Sequence, residues 1–191
     1  MRKLELIMDA HALDLALTRI AHQILEHHSD PAIGLGSVRI VGMQTRGVFL
    51  AKRIAAKVTA MESLPSPIET GILDPTLYRD DYRTAFRQPE VRVTDIPFDI
   101  NETHVVLVDD VLFTGRTVRA ALDALMDHGR PRAIQLAALI DRGHRELPIR
   151  ADYVGKKITT SPTQEVALKV SEVDGEDSLW LMELEGEGGG P

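Results

Sequence analysis

Two adjacent carboxylates and a short loop of threonines and glycine are the groups in this 191-residue chain best suited to chemistry. Asp109 and Asp110 follow an apolar run, and Thr114-Gly115-Arg116-Thr117 then opens an amphipathic segment. A helix N-terminus offers unpaired N–H groups and a positive dipole end, and glycine lets the backbone approach an anion. Carboxylates would repel a phosphate, but they accept hydrogen bonds from neutral hydroxyls or help to hold a divalent cation. The pattern therefore indicates a site for a phosphate monoester of a sugar.

The elements around this loop are a strand and a helix. Val105–Val108 is apolar and rich in β-branched residues, which predicts a strand buried on both faces of a parallel sheet. Apolar residues recur at helical spacing after Thr117. The loop is neither GxxxxGK[ST] nor GxGxxG, which excludes a P-loop and a dinucleotide fingerprint. The alternative is a turn in which Thr114 only caps the helix and the aspartates are solvated.

A second strand–loop–helix unit comes earlier in the chain. Val38–Met43 is β-branched, Gln44-Thr45-Arg46-Gly47 forms the turn, and a helix is predicted from Val48 to about Met61. Arg46 and exposed amides would suit a pyrophosphate dianion, although an ordinary turn would have the same composition. Two such loops on one parallel sheet would face the same crevice at the carboxyl ends of the strands.

The remaining pattern predicts an α/β fold in a single domain. Asp9–Glu26 reads as a helix with Asp9 as its N-cap, and its face with Thr18, Arg19 and His22 would by composition alone be solvated. The stretch from Tyr78 to Asp95 is polar and aperiodic, which is typical of a lid, with a disordered excursion as the alternative. One domain over residues 1–185 and a disordered tail over 186–191 are expected. Further strands are predicted at Ile68–Leu73, Leu77–Arg79, Ala133–Ile140, Val166–Val170 and Leu179–Leu184.

Composition excludes several classes of protein. There is no cysteine, which removes disulfides and thiol catalysis, and no apolar stretch has the length of a membrane span, so a cytoplasmic protein is expected. The net charge is −7, but seven acids within residues 172–191, where Lys and Arg are absent, account for all of it. The rest of the chain can therefore carry a basic surface, and RNA binding is not excluded.

At this point the chain resembles a known family. The run from Val105 through TGRT is similar to the phosphoribosyl-pyrophosphate (PRPP) motif of type I phosphoribosyltransferases. Several further blocks resemble the branch of bifunctional pyrimidine operon attenuators and uracil phosphoribosyltransferases, the PyrR family. These blocks are ALTRIAH (16–22), TRG (45–47), TLYRDD (76–81), VLVDDVLFTGRTVRA (106–120) and DRGHRELPIRADYVGK (141–156).

The resemblance implies a fold and two activities. The fold would be the type I phosphoribosyltransferase fold, a central, mostly parallel sheet flanked by helices, with a flexible β-loop and a small hood at about residues 141–170. One activity would convert PRPP and uracil to UMP and diphosphate. The other would be UMP-dependent binding to the leader mRNA of a pyrimidine biosynthesis operon, which causes transcription termination. The alternatives are a transferase for another nucleobase with no RNA role, and a nucleotide-binding regulator without catalysis.

The resemblance also implies roles for individual residues. Thr114–Thr117 would bind the 5-phosphate, Asp109 and Asp110 the ribose hydroxyls, and Thr45, Arg46 and Gly47 the pyrophosphate, with Arg46 and the two acids as the catalytic residues. Nucleotide contacts would also come from Val111, Leu112 and Phe113, and the uracil pocket from Arg142 and the segment reaching Val166. RNA would be bound by Thr18, Arg19, His22, His144, Arg145, Arg150 and Lys156.

The implied partners follow from these roles. Mg²⁺ would arrive with PRPP rather than in a protein cage, and a lid around Tyr78–Tyr82 would exclude water. The protein would be a homo-oligomer, a dimer or higher, with no membrane partner. Gln44 departs from the family pattern, because many relatives have Lys before the TRG.

Overall fold

A five-stranded parallel sheet forms the centre of the computed structural model, which describes residues 1–29, 34–80 and 93–184. Its strand order is β3-β2-β4-β5-β6, and every neighbouring pair runs parallel. The predicted mostly parallel sheet is therefore confirmed. The strands are β2 (Val38–Met43), β3 (Thr70–Leu73), β4 (His104–Leu112), β5 (Ala133–Asp141) and β6 (Tyr153–Lys157).

Helices cover both faces of this sheet. They are α1 (Ala10–His27) and α2 (Gly47–Met61) on one face and α3 (Arg116–Met126) on the other. Alternate residues of β4 point to opposite faces: Val106 and Val108 join the cluster with α1 and α2, whereas Val105 and Leu107 join the cluster with α3. The uninterrupted apolar run of β4 thus reflects burial on both sides.

The first helix begins as its sequence predicts. The Asp9 side chain accepts a hydrogen bond from the Ala12 N–H at 2.8 Å, which caps one of the free donors of α1. Leu13, Leu17 and Ile20 are fully buried along one stripe. The opposite face of α1, which includes Arg19 and His22, is exposed.

A second, antiparallel sheet is built from the two ends of the chain. Its order is β1-β8-β7, from β1 (Arg2–Met8), β7 (Gln164–Lys169) and β8 (Ser178–Glu183), with the short helix α4 (Ser171–Asp174) between β7 and β8. The single-domain boundary and the hood at about residues 141–170 stay predictions.

Some expectations were wrong or fall outside the described residues. Leu77–Arg79 is not a strand, because Thr76–Tyr78 forms a 3₁₀ turn, with the Tyr78 N–H bonded to the Pro75 carbonyl at 3.0 Å. Most of the predicted lid, residues 81–92, and the predicted tail, 186–191, lie outside the described residues. In the described part of the chain, no helix is long and apolar enough to span a bilayer.

Buried histidines lie at the opposite end of the sheet from the predicted site. His28, at the end of α1, is buried, and its Nε2 lies 2.8 Å from Gln135 Oε1 on β5. The centre of its ring lies 5.4 Å from the ring centre of His104, the first residue of β4. Burial lowers the pKa of His28, against the opposing effect of the Gln135 hydrogen bond, and burial together with the Arg132 charge lowers the pKa of His104.

These histidines predict acid destabilisation. Their pKa values are lower in the folded than in the unfolded chain, so the unfolded chain takes up protons first as the pH falls below about 6.5. Their stabilising contribution is complete above that pH and is lost below it. The free energy of unfolding, measured in urea from pH 7.5 to 5.5, should fall by up to about 1.4 kcal/mol per pH unit per histidine.

The matched variants are His28→Gln and His11→Gln, because His11 is exposed on the same helix. His28→Gln should flatten the pH dependence, whereas His11→Gln should leave it unchanged. An unchanged slope in His28→Gln would contradict this assignment.

Candidate active site

The loop between β4 and α3 lines a pocket of about 340 Å³. Gly115 has a φ of +93°, a conformation that favours glycine, and directly precedes the first helical residue. Seen from the pocket, the loop presents the open amino end of an 11-residue helix. The pocket is lined by Arg79, Asp109, Val111, Leu112, Phe113, Thr114, Gly115, Arg116, Thr117, Val118 and Glu146.

The acid pair lies within β4 instead of after it, because the strand continues to Leu112. Asp109 is only 7% exposed, and its Oδ1 accepts the Asp110 N–H at 2.9 Å. The Asp110 Oδ1 in turn accepts the Val111 N–H at 2.9 Å. Burial, reinforced by the Asp110 charge, raises the pKa of Asp109 well above its ordinary value, with Arg79 opposing.

The TRG turn between β2 and α2 approaches this acid pair. Gly47, the first residue of α2, packs on β4 so closely that a Cβ would lie 2.6 Å from the Val108 carbonyl oxygen and 3.5 Å from the Asp109 Cα. A side chain at this position would force the two segments apart. The structure therefore brings the two predicted loops together at the carboxyl ends of adjacent parallel strands.

Arg46 forms an ion pair across the molecule. Its Nε and Nη2 donate to the two carboxylate oxygens of Asp174 at 3.2 and 2.9 Å. Asp174 is the last residue of α4, and its hydrogen bonds with Arg46 lower its pKa, aided by the Val170 N–H. Nothing in the sequence pattern singled out this partner.

Arg142 is buried where the uracil pocket was expected. Its Nε donates to Thr160 Oγ1 at 3.1 Å, its Nη2 donates to the Gln164 carbonyl, and its guanidinium lies 4.1 Å from the centre of the Phe113 ring. Burial lowers its pKa. These bonds connect the loop between β4 and α3, which we term the phosphate-binding loop after its predicted role, to the start of β7, the strand that contains Val166.

The segment after Arg142 is attached to the phosphate-binding loop. The Glu146 and Leu147 N–H groups donate to the Thr114 carbonyl at 3.0 and 3.2 Å. Arg145 donates to the Phe113 carbonyl at 2.6 Å and pairs with Asp141 at 2.6 Å. Arg145 was predicted as a cation for RNA, and its side chain also bonds to the main chain of the phosphate-binding loop.

The predicted RNA-binding residues fall into two groups. Arg19 on α1 donates to the Gly155 carbonyl, which places it beside the exposed Lys156 of β6; Thr18 and His22 lie on the same helix. The His144 Nε2 donates to the Thr160 carbonyl at 2.7 Å. His144, like Arg145, belongs to the segment that is attached to the phosphate-binding loop. Arg150 is exposed.

Sequence reasoning assigned Arg116 to the 5-phosphate but gave Arg79, Asp80 and Glu146 no role at the pocket. Arg116 pairs with Glu146 at 2.5 Å and with Asp80 at 2.8 Å, and so joins α3 to the base of the predicted lid. Arg79 lines the pocket. Both Arg79 and Asp80 lie in the TLYRDD block, which was the available signal.

The fold and this site agree with comparisons to known proteins. The model of the phosphoribosyl transferase domain family matches residues 5–173. Proteins named bifunctional protein PyrR match at 54% identity over 177 residues in Pelotomaculum thermopropionicum and 49% over 187 residues in Bacillus subtilis. The alignments cover 93% and 97% of this chain and 94% and 100% of those proteins. This chain belongs to the PyrR family of phosphoribosyltransferases.

Solved structures support the fold of this PyrR-family chain. The hypoxanthine-guanine phosphoribosyltransferase of Leishmania tarentolae in complex with GMP superposes with a TM-score of 0.72 at 13% identity, covering 96% of this chain and 98% of the other. The hypoxanthine phosphoribosyltransferase of Trypanosoma cruzi gives 0.70 at 14%, with the same coverages. At such identities the likeness shows the fold alone, which is the type I phosphoribosyltransferase fold.

The buried acid pair predicts a trade of stability for function. The pKa of Asp109 is raised on folding. Ionisation of Asp109 therefore lowers the free energy of unfolding once the pH exceeds the ordinary aspartate pKa, and this loss is complete above the pKa in the folded protein. Asp109→Asn should therefore raise the melting temperature, increasingly from pH 5 to pH 8, at about 2–4 °C per kcal/mol. The same variant should lower turnover at least tenfold, roughly 1.4 kcal/mol.

The measurement is thermal unfolding of both proteins across that pH range. Asp123→Asn serves as the matched control, because Asp123 lies on α3 and pairs with Arg119 at its surface. A melting temperature of Asp109→Asn below that of the wild type at pH 8 would contradict the argument.

Proposed function

We propose that this protein is a UMP-dependent, mRNA-binding attenuator of a pyrimidine biosynthesis operon that also transfers phosphoribosyl from PRPP to uracil. The products of the transfer are UMP and diphosphate. The observation that carries the proposal is the direct attachment of the Arg142–Arg150 block to the phosphate-binding loop. A nucleotide in this pocket would touch both the transferase motif and the block that distinguishes the PyrR branch.

In this proposal the 5-phosphate binds at Thr114–Thr117, where main-chain N–H groups at the start of α3 and two hydroxyls face the pocket. Asp109 and Asp110 accept hydrogen bonds from the ribose diol. The pyrophosphate meets Thr45, Arg46 and Gly47. Positioning and electrostatics then supply most of the catalysis.

The transfer exchanges one bond at the anomeric carbon. The bond from that carbon to a pyrophosphate oxygen breaks as the bond to the uracil ring nitrogen forms, and the proton of that nitrogen passes to the leaving pyrophosphate or to solvent. Positive charge grows on the ribose, where the acid pair stabilises it, and negative charge grows on the pyrophosphate, beside Arg46.

Phosphoribosyltransferases of this fold use PRPP with Mg²⁺. The donor set here consists of two adjacent carboxylates, and among residues 1–29, 34–80 and 93–184 no group of three or more acidic or histidine side chains is placed to hold an ion. This arrangement fits Mg²⁺ that enters with the substrate, bound to its oxygens and to water. Asp109 and Asp110 would contact that complex.

The uracil subsite is proposed between Phe113 and the segment from Arg142 to Val166. The Phe113 ring is partly exposed, the Arg142 guanidinium lies 4.1 Å from its centre, and the His144 ring centre lies 5.8 Å away in an edge-to-face arrangement. A partly exposed aromatic ring of this kind suits a flat base.

Product analysis tests the transferase. Incubation with PRPP, Mg²⁺ and each free base should give UMP from uracil and no nucleotide from hypoxanthine or guanine. Asp110→Asn should lower kcat/KM at least tenfold, about 1.4 kcal/mol of transition-state stabilisation, with Asp123→Asn again as the control. Product from a purine but none from uracil would move the protein to the alternative, a transferase for another nucleobase.

The RNA surface is proposed to run from α1 to β6 and on to Arg150. Arg19 and Lys156 are neighbours through Gly155, and Thr18 and His22 extend the surface along α1. Arginine stacks on unpaired bases and contacts phosphates, so the group suits a folded RNA loop. Homo-oligomerisation would repeat this surface by symmetry. Both the oligomer and a cytoplasmic location remain predictions.

RNA binding should depend on these exposed cations. Arg19→Ala and Arg150→Ala should each weaken binding of a pyrimidine-operon leader hairpin about tenfold, roughly 1.4 kcal/mol, and reduce the salt dependence. Uracil transfer should persist, since neither residue lines the pocket. Arg130→Ala, at an exposed arginine on the opposite end of the sheet, is the matched control. Full affinity in both variants would remove RNA from this surface.

A further inference from the structure

The Arg46–Asp174 ion pair divides the Arg46 guanidinium into two edges. Nε and Nη2 form a two-pronged contact with the Asp174 carboxylate, and this contact uses the side edge of the fork. The remaining edge, with Nη1 and the second hydrogen of Nη2, makes no hydrogen bond to the described residues. A guanidinium can bridge two anions in this way because its five donors lie in one rigid plane.

Asp174 is itself held in place. Its Oδ2 also accepts the Val170 N–H at 2.9 Å, and its own N–H donates to the Val170 carbonyl at 2.7 Å. Only 19% of its side chain is exposed. The carboxylate therefore presents a fixed surface to Arg46 instead of following it.

A second ion pair fixes the turn that carries Asp174. Arg53 lies two helical turns after Arg46 on α2, and it donates to Glu172 at 2.6 Å and to Asp177 at 2.8 Å. These acids flank Asp174 on the β7–β8 connection. Arg46, which directly precedes α2, and Arg53 within α2 thus hold one acidic turn, but only Arg46 belongs to the TRG loop.

We propose that Asp174 is a positioning residue for the leaving pyrophosphate. It anchors the side edge of Arg46 and leaves the other edge of the guanidinium available to a pyrophosphate bound at the TRG loop. The proposal rests on the proposed function, since it requires a pyrophosphate at that loop. Asp174 touches no substrate and acts only through Arg46.

This arrangement distinguishes PRPP and pyrophosphate from UMP. PRPP and pyrophosphate both need the TRG loop, whereas UMP has no pyrophosphate and occupies only the phosphate-binding loop and the ribose and base subsites. Loss of the Asp174 anchor should therefore weaken the binding of PRPP and pyrophosphate and leave the binding of UMP unchanged. A general loss of structure would weaken the binding of all three ligands.

The test uses the full-length chain with Asp174→Ala and Asp174→Glu. KM for PRPP is measured in the forward reaction, KM for inorganic pyrophosphate in the reverse reaction with UMP, and Kd for UMP by calorimetry. Asp174→Ala should raise both KM values about tenfold, leave the Kd for UMP within twofold, and lower kcat less than it raises KM. Asp174→Glu, which keeps the charge, should recover part of the loss.

Glu172→Gln is the matched control, because Glu172 lies in the same turn but pairs with Arg53. It should leave the KM for pyrophosphate unchanged. An unchanged KM in Asp174→Ala would overturn the proposal, and a lowered KM would mean that Asp174 competes with pyrophosphate for Arg46. An equal loss of UMP affinity would make Asp174 a structural residue only. Failure of the wild-type protein to form UMP, by contrast, would overturn the proposed function itself.

Discussion

The close approach of α2 to β4 at Gly47 is the constraint on which the active site depends. A Cβ at this position would lie 2.6 Å from the Val108 carbonyl oxygen, so only glycine permits the contact. The contact places the TRG loop beside the acid pair, and the parallel pairing of β2 with β4 sends both strands to the same edge. A substrate with a phosphate at one end and a pyrophosphate at the other requires this spacing of two anion sites around one sugar site.

The same geometry explains why the site is costly to the fold. Asp109 is almost fully buried next to a second carboxylate, and both circumstances raise its pKa. A fold selected for stability alone would place an uncharged residue at such a position. In the proposed function, ribose hydroxyls or the cation carried by PRPP would compensate for the charge of the acid pair only when substrate is present.

Much of the site could be predicted from the sequence because local patterns encode it. The β4 strand, the TGRT loop and the helix after it are contiguous, and each has its own periodicity or turn chemistry, as does α1 with its Asp9 cap. Even here the strand proved longer than its apolar run, since β4 continues to Leu112, and Asp109, Val111 and Leu112 pair with β5. The residues between strand and helix are also the ones that line the pocket.

Features that depend on distant segments could not be predicted in this way. Strand β1 carries exposed charges and apolar residues at an edge, so its identity depends on β8, almost the whole chain away. The acidic turn that contains Asp174 read only as charge, and its function as partner of Arg46 and Arg53 required the fold. Arg145 read as a cation for RNA, whereas its bonds to the phosphate-binding loop make it a structural link as well.

That link makes the coupling of UMP to RNA the most direct test of the account. Arg145 and the Glu146 and Leu147 N–H groups donate to carbonyl groups of the phosphate-binding loop. A nucleotide phosphate at Thr114–Thr117 would order this loop and, through these bonds, the Arg142–Arg150 block proposed to bind RNA. Coupling of two ligands is reciprocal. Calorimetric titration of UMP should therefore give a tighter Kd with the leader hairpin bound, by at least about fivefold, and the hairpin Kd should tighten by the same factor with UMP. A hairpin affinity that is independent of UMP would contradict the claim that one nucleotide site serves both activities.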